Sequence, residues 1–249
     1  VTSSYATSYD IGLIAAAPTE SSVKITPKIH AGTKPGAMYI HGAGSNSDYC
    51  IVPTANQSLL TQAVTGAGYY GWSHDNGGVA TWGNDLSIGR ISAGWTVQKG
   101  AMPVDNNKVV LISASMGGLN ALAWAAQNAS KVACIVSVIP VINLTDIHTN
   151  NRGGYAASIN SAYGGAYSQA TYGATHNPMT MATAGAFNGI PMLFYYGLTD
   201  TLCLPAETQA FAAAVGPSVQ LISVPSGHDL TSYGSVDPAV VTSFIQANT

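Results

Sequence analysis

Val109-Val110-Leu111-Ile112-Ser113-Ala114-Ser115-Met116-Gly117-Gly118 runs straight into Leu119-Asn120-Ala121-Leu122-Ala123-Trp124-Ala125-Ala126. An apolar run rich in β-branched residues, then a knot of small residues, then an Ala/Leu-rich segment predicts a strand, a tight turn and a helix. When such a turn presents a serine at its tip it is strained, and the residues two before and two after must be small enough to press against strand and helix. Those positions are Ser113 and Gly117, so the pattern is S-x-S-x-G where G-x-S-x-G is usual. Ser87, Ser92, Ser115 and Ser232 all have Gly two residues later, yet only Ser115 also has a small residue two before it, follows an apolar strand and opens a helix. The plain alternative is a strand-to-helix turn built of small residues for packing alone, and the rest of the chain has to decide between the two.

Composition narrows the classes. A chain of 249 residues with no internal repeat and no linker is expected to form one α/β domain spanning 1–249. Only 8% of its residues are charged, against ~25% in an average soluble domain, so solubility rests on Ser, Thr, Asn, Gln and Tyr. A net charge of −3 with no basic run leaves no electrostatic footprint for nucleic acid or an anionic membrane. No apolar stretch approaches the ~20 residues of a membrane span, and Val1 opens no charged-then-apolar leader, so the chain reads as a processed or excised segment. The low charge and the Ser/Thr/Asn bias suggest an extracellular or virion-associated protein. Cys50, Cys134 and Cys203 have no metal-site spacing, and one bridge between Cys50 and Cys203 is an open alternative to three buried thiols.

Residues 1–36 carry short alternating segments, at 10–16 and 22–30, punctuated by Pro18, Pro27 and Pro35, which read as edge strands. Ala37-Met38-Tyr39-Ile40 is a buried-looking strand that ends in His41-Gly42-Ala43-Gly44. A glycine turn there lets a backbone N–H point into a cleft, as an oxyanion donor must, and the candidates are the amides of Ala43 and Met116. His41 is expected to be structural. Residues 56–65 read as a helix, 68–75 as a strand, 87–99 as a helix and 132–139, a continuous apolar run, as a central parallel strand. Residues 142–190 change character to Gly, Ala, Asn, Thr and Tyr with little periodicity, and are expected to form a cap or lid inserted over the sheet. Strand character returns at 191–197 and delivers Leu198-Thr199-Asp200; a helix over 206–215 and a strand over 219–224 lead to Gly227-His228, and residues 237–248 close the chain as a helix capped by Asp237. Alternating strands and helices imply a mostly parallel central sheet with helices on both faces.

Ser115, Asp200 and His228 thus follow three strands in the order Ser, acid, His, at the carboxyl rim where open α/β sheets bind ligands. The order and the turns resemble the α/β-hydrolase superfamily over nearly the whole chain from about Ala37, and the approach to Asp200 through Gly189-Ile190-Pro191-Met192-Leu193-Phe194-Tyr195-Tyr196-Gly197 looks like that of small esterases and dienelactone-hydrolase-like members. The resemblance implies an α/β-hydrolase fold, with Ser115 as nucleophile, Asp200 as acid, His228 as base, and Ala43 and Met116 as the oxyanion hole. The departures are Ser113 for the usual Gly and a His-Gly turn with less glycine than the lipase form. Asp146, after the preceding strand, is the rival for the acid.

The expected activity is cleavage of carboxylic esters, with short acyl groups, through an acyl-enzyme; no metal and no organic cofactor is implied. The competing class is a non-catalytic binding or structural module that keeps the fold on a secreted or virion particle. Trp72, Tyr155 and Tyr163, with Trp82 nearby, are the expected substrate-binding residues, because flat apolar faces with polar tips suit a sugar-borne or other oxygenated ester, small or polymer-bound. Oligomeric state is not encoded in any recognisable pattern.

Overall fold

A computed structural model describes residues 9–13, 22–29, 33–50 and 58–249. The ends of two expected edge strands (14–16 and 30), Pro18, and the first two residues of the helix expected over 56–65 lie outside the described residues. Among those described, eight strands form one sheet: β1 (Tyr9–Leu13), β2 (Ser22–Pro27), β3 (Pro35–Ile40), β4 (Gly71–His74), β5 (Asp105–Ala114), β6 (Val132–Val138), β7 (Met192–Gly197) and β8 (Val219–Val224). Their order is β1-β2-β4-β3-β5-β6-β7-β8. β2 is antiparallel to both neighbours, and from β4 to β8 every pairing is parallel.

Parallel strands need crossovers, and here these are helical: α1 (Ser58–Gly66), α2 (Asp85–Ala101), α3 (Met116–Gln127), four short helices α4 (Leu144–Thr149), α5 (Ala156–Ala162), α6 (Gln169–His176) and α7 (Pro178–Thr183), then α8 (Pro205–Val215); α9 (Thr231–Gly234) and α10 (Pro238–Ala247) follow β8. Side chains alternate across β5. Val110 and Ile112 join Val64, Val241 and Ile245 of α1 and α10 on one face, while Val109 and Leu111 join Ile91, Leu122 and Phe211 of α2, α3 and α8 on the other. Covering both faces is what makes residues 109–112 of β5 and 132–136 of β6 read as apolar runs. Asp237 caps α10, its carboxylate accepting the Ala239 N–H at 2.8 Å.

Residues 142–190 carry α4 to α7 rather than irregular chain. Their periodicity is faint because the tyrosines pack on one another: Tyr163 lies 4.6 Å from Tyr172 and 5.1 Å from Tyr167, centroid to centroid. A third apolar cluster, with Trp82, Met116, Leu119, Leu144, Ile159 and Tyr167, joins this segment to the start of α3.

The bridge held open between Cys50 and Cys203 is not formed. Both are free, buried thiols in different apolar clusters. Burial pushes the Cys50 thiol up to about 12 and the Cys203 thiol well above its usual range.

Candidate active site

The site begins with the geometry of one turn. Ser115 has φ 51° and ψ −124°, an unfavourable conformation for a residue with a β-carbon. It is sustained from both sides: the Ser115 N–H donates to the Val138 carbonyl at 3.1 Å, and the Ser115 carbonyl accepts the Val141 and Gly118 amides, each at 2.9 Å. A β-carbon on Gly117 would lie 2.1 Å from the Ile40 carbonyl oxygen, so only glycine lets α3 start this close to the end of β3. Ser113 is accommodated because its hydroxyl turns sideways along the sheet and donates to Ser137 Oγ at 2.9 Å, from the residue paired with it on β6.

The turns after β7 and β8 bring two further side chains to this point. Ser115 Oγ lies 2.8 Å from His228 Nε2, and His228 Nδ1 lies 2.9 Å from Asp200 Oδ2. The Asp200 carboxylate is wholly buried, whereas the imidazole keeps about a fifth of its surface exposed toward the cleft. Asp200 Oδ1 accepts the Leu202 and Cys203 amides at 2.8 Å each, which fixes the carboxylate plane and supports its charge out of water. A carboxylate on Nδ1 selects the tautomer with its proton there, leaving Nε2 free to take the hydroxyl proton of Ser115.

Ala43 lines the cleft with Ser115, and Met116 follows Ser115 as the first residue of α3. The loop carrying Ala43 is tied to the one after β4: the Gly44 amide donates to the Val79 carbonyl at 2.8 Å, the Ser47 amide to Asp75 Oδ1 at 2.9 Å, and the buried His41 ring contacts the Gly42 and Asp75 carbonyls at 2.9 and 2.8 Å. His41 is therefore a structural residue. Neither the Ala43 nor the Met116 amide takes part in a turn, loop or cap hydrogen bond among the described residues. The Met116 side chain is buried and its sulfur accepts the Trp82 N–H at 3.4 Å, so only its backbone is placed to meet a ligand.

A cleft of about 250 Å³ opens over Ser115 between Gly42, Ala43 and His228, walled by Ile139, Tyr155 and Tyr233, with Leu230 at its rim. Of the three aromatic residues expected to bind substrate, Tyr155 lines this cleft. Trp72 does not: it is fully buried in the core beside Met38 and Ile91, because all four residues of β4 are covered on both faces. Tyr163 does not either. Its hydroxyl donates to the Trp82 carbonyl at 2.9 Å, and its ring borders a separate hollow with Tyr172 and His176. Trp82 is buried as a brace, its ring 4.8 Å from Tyr155 and its indole N–H on Ser158 Oγ at 2.8 Å. Ile139, Leu230 and Tyr233 also line the cleft, and no motif in the sequence marks them. Leu230 and Tyr233 stand two and five residues after His228, a proximity that could have suggested them; Ile139 ends an apolar strand like any other.

The rival acid is elsewhere. Asp146 sits in α4, where its carboxylate pairs with Arg152 and accepts from Asn150, and Arg152 in turn reaches the Thr201 carbonyl at 3.4 Å. Asp229 is turned to the backbone, accepting the Thr231 amide at 2.8 Å.

The chain's likenesses to known proteins bear on its fold and family. In fold it is similar to the Staphylococcus aureus serine hydrolase FphF, with a TM-score of 0.75, 16% identity, and 95% of this chain and 98% of that one covered. An S-formylglutathione hydrolase from Agrobacterium tumefaciens gives a TM-score of 0.74 at 10% identity, covering 97% and 95%. The Pyrococcus furiosus esterase Pf2001 gives 0.68 at 18% identity, covering 96% and 92%. No protein of curated function matches by sequence. Residues 59–225, from α1 to the end of β8, match the model of the prolyl oligopeptidase family. The sheet order, the parallel strands and that match make this an α/β-hydrolase fold of the serine-hydrolase type, and the chain belongs to the prolyl oligopeptidase family.

Proposed function

We propose that the protein hydrolyses carboxylic esters of short acyl groups by way of an acyl-enzyme on Ser115. The observation that carries this reading is the unbroken hydrogen-bonded line from Ser115 Oγ through His228 to the buried Asp200. His228 takes the Ser115 proton as the hydroxyl oxygen attacks the ester carbonyl, and the Ala43 and Met116 amides stabilise the oxyanion. The imidazolium, stabilised by Asp200, returns the proton to the departing alkoxide; water, activated by the same imidazole, then attacks the acyl-Ser115 ester and releases the acid. A pure binding module has no use for this arrangement, which supports turnover over the structural alternative.

Two features support a short acyl group. The cleft, at about 250 Å³, is small, below the ~300–1,000 Å³ of drug-sized ligand sites. Among the described residues the large exposed hydrophobics are Ile29, Val79, Leu86, Leu198, Leu230 and Val240, none of them within 142–190. The segment between β6 and β7 thus lacks the broad apolar face with which a lipase lid meets an oil surface. The low charge of the chain is in keeping with an extracellular or virion-borne enzyme. The test is a series of p-nitrophenyl esters from acetate to decanoate, below and above their solubility limits. Highest kcat/KM for acetate or butyrate, with no jump at the emulsion boundary, is expected; a maximum at octanoate or beyond, or a jump, contradicts it.

A further inference from the structure

Ile139, the first residue after β6, has φ +46°. A β-branched side chain is strained in the left-handed region, and the ring of Pro140 crowds it further. Five non-glycine residues among those described have positive φ; Asn76 and Asn151 tolerate it, Ser115 and Trp82 belong to the site and its brace, and Ile139 alone of the five is β-branched.

The strain has a visible cause. Val138, just before Ile139, gives its carbonyl to the Ser115 amide at 3.1 Å, and Val141, two residues after, gives its amide to the Ser115 carbonyl at 2.9 Å. The Ile139 amide itself is committed to the Tyr195 carbonyl of β7 at 2.7 Å. The segment must therefore reverse within two residues to clasp both backbone groups of Ser115. Gly or Asn would make that reversal at less cost. What isoleucine adds is apolar surface: the residue is only 3% exposed, lines the cleft together with Ser115, Tyr155 and Leu230, and belongs to the buried apolar cluster that includes Tyr195 and Tyr233.

We propose that Ile139 is a specificity-determining residue, the wall that limits the length of the apolar arm an ester can place in the cleft. This rests on the ester-hydrolase reading above. Ile139→Gly keeps the left-handed backbone and removes the wall; Ile139→Asn keeps the left-handed backbone and makes the wall shorter and polar; Ile139→Val shortens it by one methylene. Each is compared with wild type on two series, p-nitrophenyl esters of increasing acyl length and acetates of increasing alcohol length, with fluorophosphonate labelling of Ser115 to count competent sites. Ile139→Gly is expected to raise kcat/KM for hexanoate over acetate, or for hexyl over ethyl acetate, by about tenfold, chiefly through KM. Ile139→Asn is expected to move the same ratio down, and Ile139→Val to move it up by less than Gly does. Should Ile139→Gly fail to fold, the opposite shifts of Asn and Val carry the test. Unchanged ratios in both series, at normal labelling, overturn the proposal while leaving the ester-hydrolase reading intact; a wild-type protein that cleaves no ester overturns both.

Discussion

Asp200 holds His228 with one oxygen and is itself held by the other: Oδ2 is 2.9 Å from Nδ1, while Oδ1 accepts two backbone amides at 2.8 Å. The carboxylate cannot rotate without losing one set of bonds. An amide in its place must direct its NH₂ either at the Nδ1 proton or at the Leu202 and Cys203 amides, so a donor faces a donor in both orientations. Asp200→Asn is accordingly expected to lower kcat by ~10³–10⁴-fold through the wrong imidazole tautomer. Asp146→Asn, which weakens the contacts with Arg152 and Asn150 away from the cleft, is expected to cost less than about tenfold. Ester turnover by the two purified variants decides, and a larger loss in Asp146→Asn would contradict the assignment of the acid.

Two glycines to alanine should act in opposite directions. At Gly117 the added methyl meets the Ile40 and His41 carbonyl oxygens at 2.1 and 2.6 Å, and neither backbone can yield, so a loss of about 3 kcal/mol or more, or failure to fold, is expected. At Gly89, inside α2, a methyl group meets nothing within 4 Å, and the more helical residue is expected to add about 0.5–1 kcal/mol. Thermal unfolding of both variants checks this.

The three thiols are buried, and burial pushes Cys50 and Cys134 each up to about 12. A protonated thiol shut away from solvent is a poor nucleophile. Ellman's reagent is expected to find no fast-reacting thiol in the folded protein and, without added reductant, all three cysteines after denaturation.

Glu207, whose Oε1 accepts Asn143 Nδ2 at 2.8 Å, has its carboxyl raised by burial first and by the Asp146 charge second. A carboxyl raised on folding favours the protonated fold, so its contribution is fullest below the usual carboxylate range and is lost as pH rises through the raised value. Glu207→Gln keeps an oxygen for Asn143 and removes the charge. It is expected to unfold at a higher temperature than wild type at neutral pH, with the gap closing in acid; a gap that widens in acid contradicts this.

Much of this architecture is legible in the residues. The strand residues 37–40, 109–112 and 132–136 are apolar on both faces, and Ser115, Asp200 and His228 each follow a strand into a turn of small or polar residues. Side-chain direction is less so. In β4 the run Gly-Trp-Ser-His alternates chemically, yet all four are buried, so Trp72 gives no sign that it faces the core. Tyr163 and Tyr155 are indistinguishable in composition, and only the packing of Trp82 and α6 sends one into a separate hollow and the other to the cleft. Ile139 was illegible because its left-handed turn is imposed by hydrogen bonds to Ser115 and Tyr195, residues 24 and 56 positions away.

The central claim is that Ser115 is the nucleophile. Ser115→Ala leaves Gly117, Gly118 and the rest of the turn in place and removes only the hydroxyl. The most direct measurement pairs mass mapping of a fluorophosphonate adduct on the wild-type protein with p-nitrophenyl acetate turnover by wild type and Ser115→Ala. A single adduct on Ser115 and a fall in turnover of ~10⁴-fold or more are the predicted results. An adduct on another serine, or a variant that keeps more than about a tenth of wild-type turnover, would contradict the account.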